Sequence, residues 1–136
     1  MNNRILSKIN ANFIRNGAAG IHDVDIQQVM DRATDIKQKI KNNEALKKLF
    51  KDASTLISMI KDCWSGAYPQ APLWVISAAV FALLYVLSPI DLIPDIIPVF
   101  GLADDAAVLA LCLAMTEKDI HKYRNWKNGN KQGAEV

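Results

Sequence analysis

Fifteen consecutive residues, Leu73 to Leu87, read Leu-Trp-Val-Ile-Ser-Ala-Ala-Val-Phe-Ala-Leu-Leu-Tyr-Val-Leu and carry no charge, proline or glycine. A helix that is apolar on every side has to be covered on every side, by protein or by lipid. At about 1.5 Å per residue it is roughly 22 Å long, short of the roughly 30 Å hydrocarbon core of a bilayer. The run is therefore a thin or re-entrant membrane helix, or the central helix of a compact bundle.

A second unusual stretch follows at once. Ser88-Pro89-Ile90-Asp91-Leu92-Ile93-Pro94-Asp95-Ile96-Ile97-Pro98-Val99-Phe100-Gly101 leads into Leu102-Ala103-Asp104-Asp105. No Lys, Arg, Glu or His lies between Asp62 and Glu117, so four aspartates are the only charges in the most apolar part of the chain. Carboxylates in such surroundings are costly unless hydrogen-bonded, paired, protonated or at water. Two explanations are open. In the structural one, Ser88 caps a short helical turn with Pro89 at its first position and Asp91 in its first turn. Asp95 caps another turn ending before Pro98, Gly101 makes a turn, and Asp104 or Asp105 starts the last helix. In the functional one, the prolines fold the segment back so that Asp91, Asp95, Asp104 and Asp105 converge. Such a cluster takes a divalent metal (Mg²⁺, Ca²⁺ or Mn²⁺) or a shared proton. No other cofactor is implied, and no His, Ser or Cys nearby completes a nucleophilic triad.

The rest of the chain is helical in period. Ile5, Leu6, Ile9, Phe13 and Ile14 suggest a short amphipathic helix ended by Asn16-Gly17 and Gly20. Ile26, Val29, Met30, Ala33, Ile36 and Ile40 predict a helix over Val24–Lys41, capped by Asp23 or Asp25. Leu46, Leu49, Phe50, Ala53, Leu56, Ile57 and Ile60 predict another over Asn43–Cys63. Together these two form an antiparallel amphipathic hairpin. Trp64 to Pro72 is a linker, with Trp64, Tyr68 and Trp74 clustered around it as at a membrane boundary. One long helix is expected over Asp104–Lys127, followed by a Gly-, Asn- and Lys-rich tail. His22 and His121 sit alone on polar faces. Cys63 and Cys112 have no metal or redox spacing and read as reduced, packed thiols. The fold class is thus all-α: a helical bundle with an N-terminal amphipathic hairpin and a central apolar, proline-broken hairpin. The expected division is residues 1–53, 54–127 and 128–136.

At this point the residues resemble a known family. Tyr85, Ser88-Pro89-Ile90-Asp91-Leu92-Ile93-Pro94-Asp95, and Ile97-Pro98 through Gly101 to Asp104-Asp105 look like the signature of the YkvA-like domain of unknown function, found in small bacterial proteins. The similarity runs upstream through Trp64-Ser65-Gly66-Ala67-Tyr68 and Pro72, and downstream through Asp119 to Trp126. It covers roughly Ser54 to Lys127; Ala103 stands where the family often has a larger residue. The resemblance implies a helical, membrane-associated protein and marks Tyr85 and the four aspartates as its shared cluster. It supplies no reaction.

The function classes narrow accordingly. A net charge of +2 gives no argument for nucleic acid. The N-terminus lacks an apolar signal-peptide core, so none is expected. Lys47, Lys48, Lys51 and Lys61 precede the apolar pair Leu73–Leu87 and Ile96–Met115; Lys118, Lys122, Arg124 and Lys127 follow it. Basic flanks on both sides place both termini on the cytoplasmic side of the inner membrane, with a shallow or re-entrant hairpin between them. The expectation is a non-enzymatic, lipid-associated binding protein, whose N-terminal helices offer a surface to a protein partner. A carboxylate-based metal binder or enzyme, and a soluble cytoplasmic adaptor or immunity-type binder, are the alternatives.

Overall fold

The computed structural model describes residues 11–87 and 105–135. Seven α-helices lie among them: α1 (Ala11–Ala19), α2 (Asp23–Asp31), α3 (Ala33–Lys41), α4 (Phe50–Trp64), α5 (Leu73–Leu87), α6 (Asp105–Met115) and α7 (Glu117–Glu135). A 3₁₀ turn, Lys47–Leu49, leads into α4. No strand occurs among the described residues, and the chain is an all-α bundle. Ser88, Pro89, Asp91, Asp95, Pro94, Pro98, Gly101 and Asp104, and with them the expected turn after Pro89, lie outside the described residues.

Every residue of α5 from Val75 to Val86 is buried. The cover is the chain's own, because α1, α2, α3, α4 and α6 all pack on α5. This is the bundle-centre alternative for the apolar run. No helix among the described residues is long and apolar enough to cross a membrane.

The amphipathic stripes do what their period predicts. Ile26, Val29, Ile36 and Ile40 are buried from α2 and α3, and Ala53, Leu56, Ile57 and Ile60 from α4. Their apolar faces are therefore occupied by the core, leaving polar outer faces. The expected Val24–Lys41 helix is broken at Arg32, whose backbone (φ −103°, ψ 17°) leaves the helical region. Two shorter helices can then bend around α5. The long C-terminal helix is likewise broken, at Thr116. That residue is fully buried, and its hydroxyl donates to the Cys112 carbonyl at 2.8 Å. A threonine hydroxyl bonded back to the preceding turn competes for that carbonyl and bends the helix. The backbone of α7 then continues to Glu135, past the point where a tail was expected.

Other departures have equally local causes. Asn43 starts a capped turn, its Oδ1 accepting from the N–H groups of Ala45 (2.8 Å) and Leu46 (3.1 Å), rather than the α-helix itself. The aromatic cluster splits. Tyr68 is buried against Tyr123 (5.1 Å between ring centroids) and Trp126 (4.9 Å), while Trp64 and Trp74 stay about half exposed. Gly66 ends α4 with φ 87°, the left-handed conformation that a side chain disfavours. It turns the chain so that the Tyr68 N–H reaches the Asp62 carbonyl at 3.0 Å.

Gly17 was expected to help end the first helix and instead lies inside α1. A Cβ at this position would overlap the ring carbons of Phe81, well inside van der Waals contact. Phe81 has little room to yield, since it is buried and packs on Phe13 (5.5 Å) and Tyr85 (6.1 Å). Glycine here is a contact requirement, and it sets how closely α1 approaches α5. Gly→Ala inside a helix ordinarily gains up to about 1 kcal/mol. Gly17→Ala should do the opposite, destabilising by about 1–3 kcal/mol through overpacking. A urea midpoint equal to or above wild type would contradict this contact.

Candidate functional site

Two residues of the expected cluster fall within the described structure. Tyr85 is fully buried near the C-terminal end of α5, edge-on to Phe13 of α1 at 6.1 Å. Asp105 is the first residue of α6, in the turn where the helix dipole favours an acid. Asp91, Asp95 and Asp104, the remaining metal candidates, lie outside the described residues. Among the described residues, no three His, Cys, Asp or Glu side chains gather to hold a metal.

The structure adds a residue that spacing did not reveal. Lys39 of α3 places its Nζ 3.5 Å from the Leu87 carbonyl and 4.0 Å from Asp105 Oδ2. One cation thus faces the last residue of α5 and the first of α6, which frame the proline–aspartate stretch. The dipoles agree with this: a helix C-terminus and a carboxylate both favour a positive neighbour. Lys39 belongs to the N-terminal part of the chain, so helices outside the resemblance are tied to the signature.

A second polar constellation joins α4 to α7. Ser58 Oγ and Tyr123 Oη share a hydrogen bond of 2.6 Å, and Tyr123 Oη donates to Asp62 Oδ2 at 2.5 Å. Lys127 Nζ donates to the same oxygen at 2.7 Å. Arg124 Nη2 donates to Asp52 Oδ1 at 2.5 Å and Thr55 Oγ1 at 3.2 Å. Burial alone would raise the Asp62 carboxyl. The hydrogen bonds from Lys127 and Tyr123, with the charge of Lys127, outweigh that and hold it below its ordinary 3.8. The bond to Asp62 correspondingly raises Lys127. Burial, then the bond to Asp62, raises Tyr123, which stays a neutral donor. Tyr123 and Arg124 sit inside the resemblance, but only the fold shows that they meet Asp62 and Asp52 across some sixty to seventy positions.

The thiols and histidines are unremarkable chemically. Cys112 is fully buried, its Sγ donating to the Ala78 carbonyl at 3.4 Å, and burial pushes its thiol up to about 12. Such a thiol is no nucleophile. Cys63 is half-buried and also raised by burial. His121 is exposed, 3.7 Å from Glu117.

The opposite end of α5 is apolar and open. Leu73 is 76% exposed and Trp74 46%, the inverse of the helix they begin. They line a groove of about 490 Å³ with Ile14, Ala18 and Ile21, and Arg15 stands at its edge, exposed. Trp64, on the other side of the linker, is 47% exposed.

The Asp62 network yields a test. Its folded-state value lies below the unfolded one, so its stabilisation is complete above 3.8 and lost as pH falls through the folded value. The stability of wild type should therefore fall along an acid limb that Asp62→Asn flattens. Superimposable acid limbs in denaturant titrations at several pH values would contradict the network.

Comparison with known proteins places these helices in context. A family profile described as "Protein of unknown function (DUF1232)" matches residues 75–111, which run from α5 into α6 and enclose the proline–aspartate stretch. The chain is 35% identical over 81 residues to a Bacillus subtilis (strain 168) protein named "Uncharacterized membrane protein YkvA". That match spans 60% of this chain and 76% of the relative. No solved structure matches. A relative this similar over this much of its length, together with a family profile that runs from α5 into α6, makes the chain a member of the YkvA-like family of unknown function.

Proposed function

We propose that this chain is a membrane-associated, non-enzymatic helical protein that lies against the cytoplasmic face of the bacterial inner membrane, both termini in the cytoplasm, and acts by binding. The observation that carries the reading is the exposed pair Leu73 and Trp74 at the head of a helix otherwise wholly buried. Leaving two large apolar side chains beside an apolar groove in water is unfavourable by the roughly 25 cal/mol per Å² of apolar surface they keep wet. A bilayer interface suits that end. Tryptophan favours the headgroup level, and Arg15 beside the groove and Lys61, exposed in the last turn of α4, suit anionic lipid. The name of the Bacillus subtilis relative, a membrane protein, supports the same reading. The contact is interfacial rather than spanning: the apolar length of α5 is already covered by α1–α4 and α6, and only its N-terminal end meets lipid.

Vesicle flotation tests this. The purified chain should float with vesicles containing phosphatidylglycerol and much less with phosphatidylcholine alone. The doubly substituted Leu73→Gln/Trp74→Gln chain should lose about tenfold or more in binding with its far-UV circular dichroism unchanged, since both sites are exposed. Equal flotation of wild type and variant, or none for wild type, would overturn the reading. In intact cells, with Cys63 and Cys112 replaced, single cysteines at Lys51 and Lys127 should resist an impermeant thiol reagent.

A further inference from the structure

A cleft of about 450 Å³ lies between α4 and α7 and plays no part in the apolar end of α5. Its charged lining residues, Lys51, Arg124 and Lys127, are all basic, and Ser54 contributes a hydroxyl, while that of Thr55 donates to the Lys51 carbonyl at 3.1 Å. Asp52 and Asp62 pair with Arg124 and Lys127 but are not part of the lining. Three positive charges against two negative leave an excess of one positive. The pairing also leaves donors over. A guanidinium has five N–H groups. Among the described residues, Nη2 of Arg124 is engaged by Asp52 and Thr55, and Nη1 and Nε have no partner.

Ser54 supplies an independent pointer. Among the described residues its Oγ is the one buried side-chain nitrogen or oxygen without a hydrogen-bond partner. Folded proteins rarely leave a buried hydroxyl unpaired, because the lost hydration is not recovered. Ser54 lines the cleft, so a turn about its χ1 would bring the hydroxyl to an acceptor there and recover it.

We propose that this cleft binds a phosphate monoester, its oxygens accepting from Arg124, Lys51 and the hydroxyl of Ser54. Phosphate fits better than carboxylate, because its three terminal oxygens can accept from the guanidinium fork, the Lys51 ammonium and the Ser54 hydroxyl together. The phosphate belongs to a soluble metabolite or to a monoester lipid headgroup, and both present the same group to the cleft.

The full chain, titrated with sn-glycerol 3-phosphate at constant ionic strength, should show saturable amide shifts at α4 and α7 around Ser54 and Arg124. Potassium chloride should not reproduce them. Lys51→Gln, at an exposed position, should weaken binding about tenfold, the loss of one charge-assisted contact. Ser54→Ala should weaken it too while leaving the thermal midpoint of the free protein no lower than wild type. A hydroxyl with a purely structural role would show the reverse. Preference for phosphatidic acid vesicles over phosphatidylglycerol vesicles, lost in Lys51→Gln, identifies a lipid headgroup; saturable binding of glycerol phosphate without that preference identifies a soluble ligand. Absence of saturable shifts, or equal binding by wild type and both variants (an adventitious ion only), would overturn the proposal. The Leu73→Gln/Trp74→Gln chain should bind glycerol phosphate normally, so the cleft and the membrane contact stand or fall separately.

Discussion

The structure depends on a single constraint, that α5 has no polar face to turn towards water. Twelve consecutive residues, Val75 to Val86, are buried, and a helix is covered on all sides only if several neighbours surround it. Five do so. Their local features follow from this demand. Gly17 lets α1 lie directly on Phe81. The break at Arg32 divides one amphipathic stripe into α2 and α3, which address α5 from different directions. Cys112 of α6 approaches closely enough to hydrogen-bond the Ala78 carbonyl of α5.

Charge is arranged around that core rather than within it. The two buried polar or charged residues among those described, Ser77 and Thr116, are uncharged. The ionic contacts that join helices sit at the periphery. Asp52 with Arg124, and Asp62 with Tyr123 and Lys127, hold α7 to α4. Exposed ion pairs stabilise little, with a median of about 0–1 kcal/mol. The Asp62 carboxylate is the more consequential, because two donors share one of its oxygens and Tyr123 is itself buried. At the other end, Lys39 sets a positive charge between the end of α5 and the start of α6.

Much of this was legible beforehand. Apolar period alone placed α2, α3 and α4 on their correct faces, and the uniform run from Leu73 to Leu87 matched the bounds of α5. Information that depended on a distant partner was hidden. Gly17 and Asn16 read as a terminator because nothing local announces Phe81. Thr116 read as mid-helix because its hydroxyl bonds inward only when the residue is buried. Tyr68 read as an interfacial aromatic until α7 supplied Tyr123 and Trp126. Lys39 was one lysine among several on an exposed face, and Asp62 one carboxylate on another. Tyr85 and Asp105 carried a recognisable signature.

The burial of α5 by protein can be tested where it matters, on the membrane. A lipid-soluble photoactivatable diazirine, activated with the chain bound to phosphatidylglycerol-containing vesicles and mapped by mass spectrometry, reports which side chains face hydrocarbon. With α5 covered by α1–α4 and α6, labelling should be confined to exposed positions such as Leu73 and Trp74 and should leave Val80 and Leu83, both fully buried, unmodified. Labelling of Val80 or Leu83 would contradict the bundle and return α5 to the bilayer.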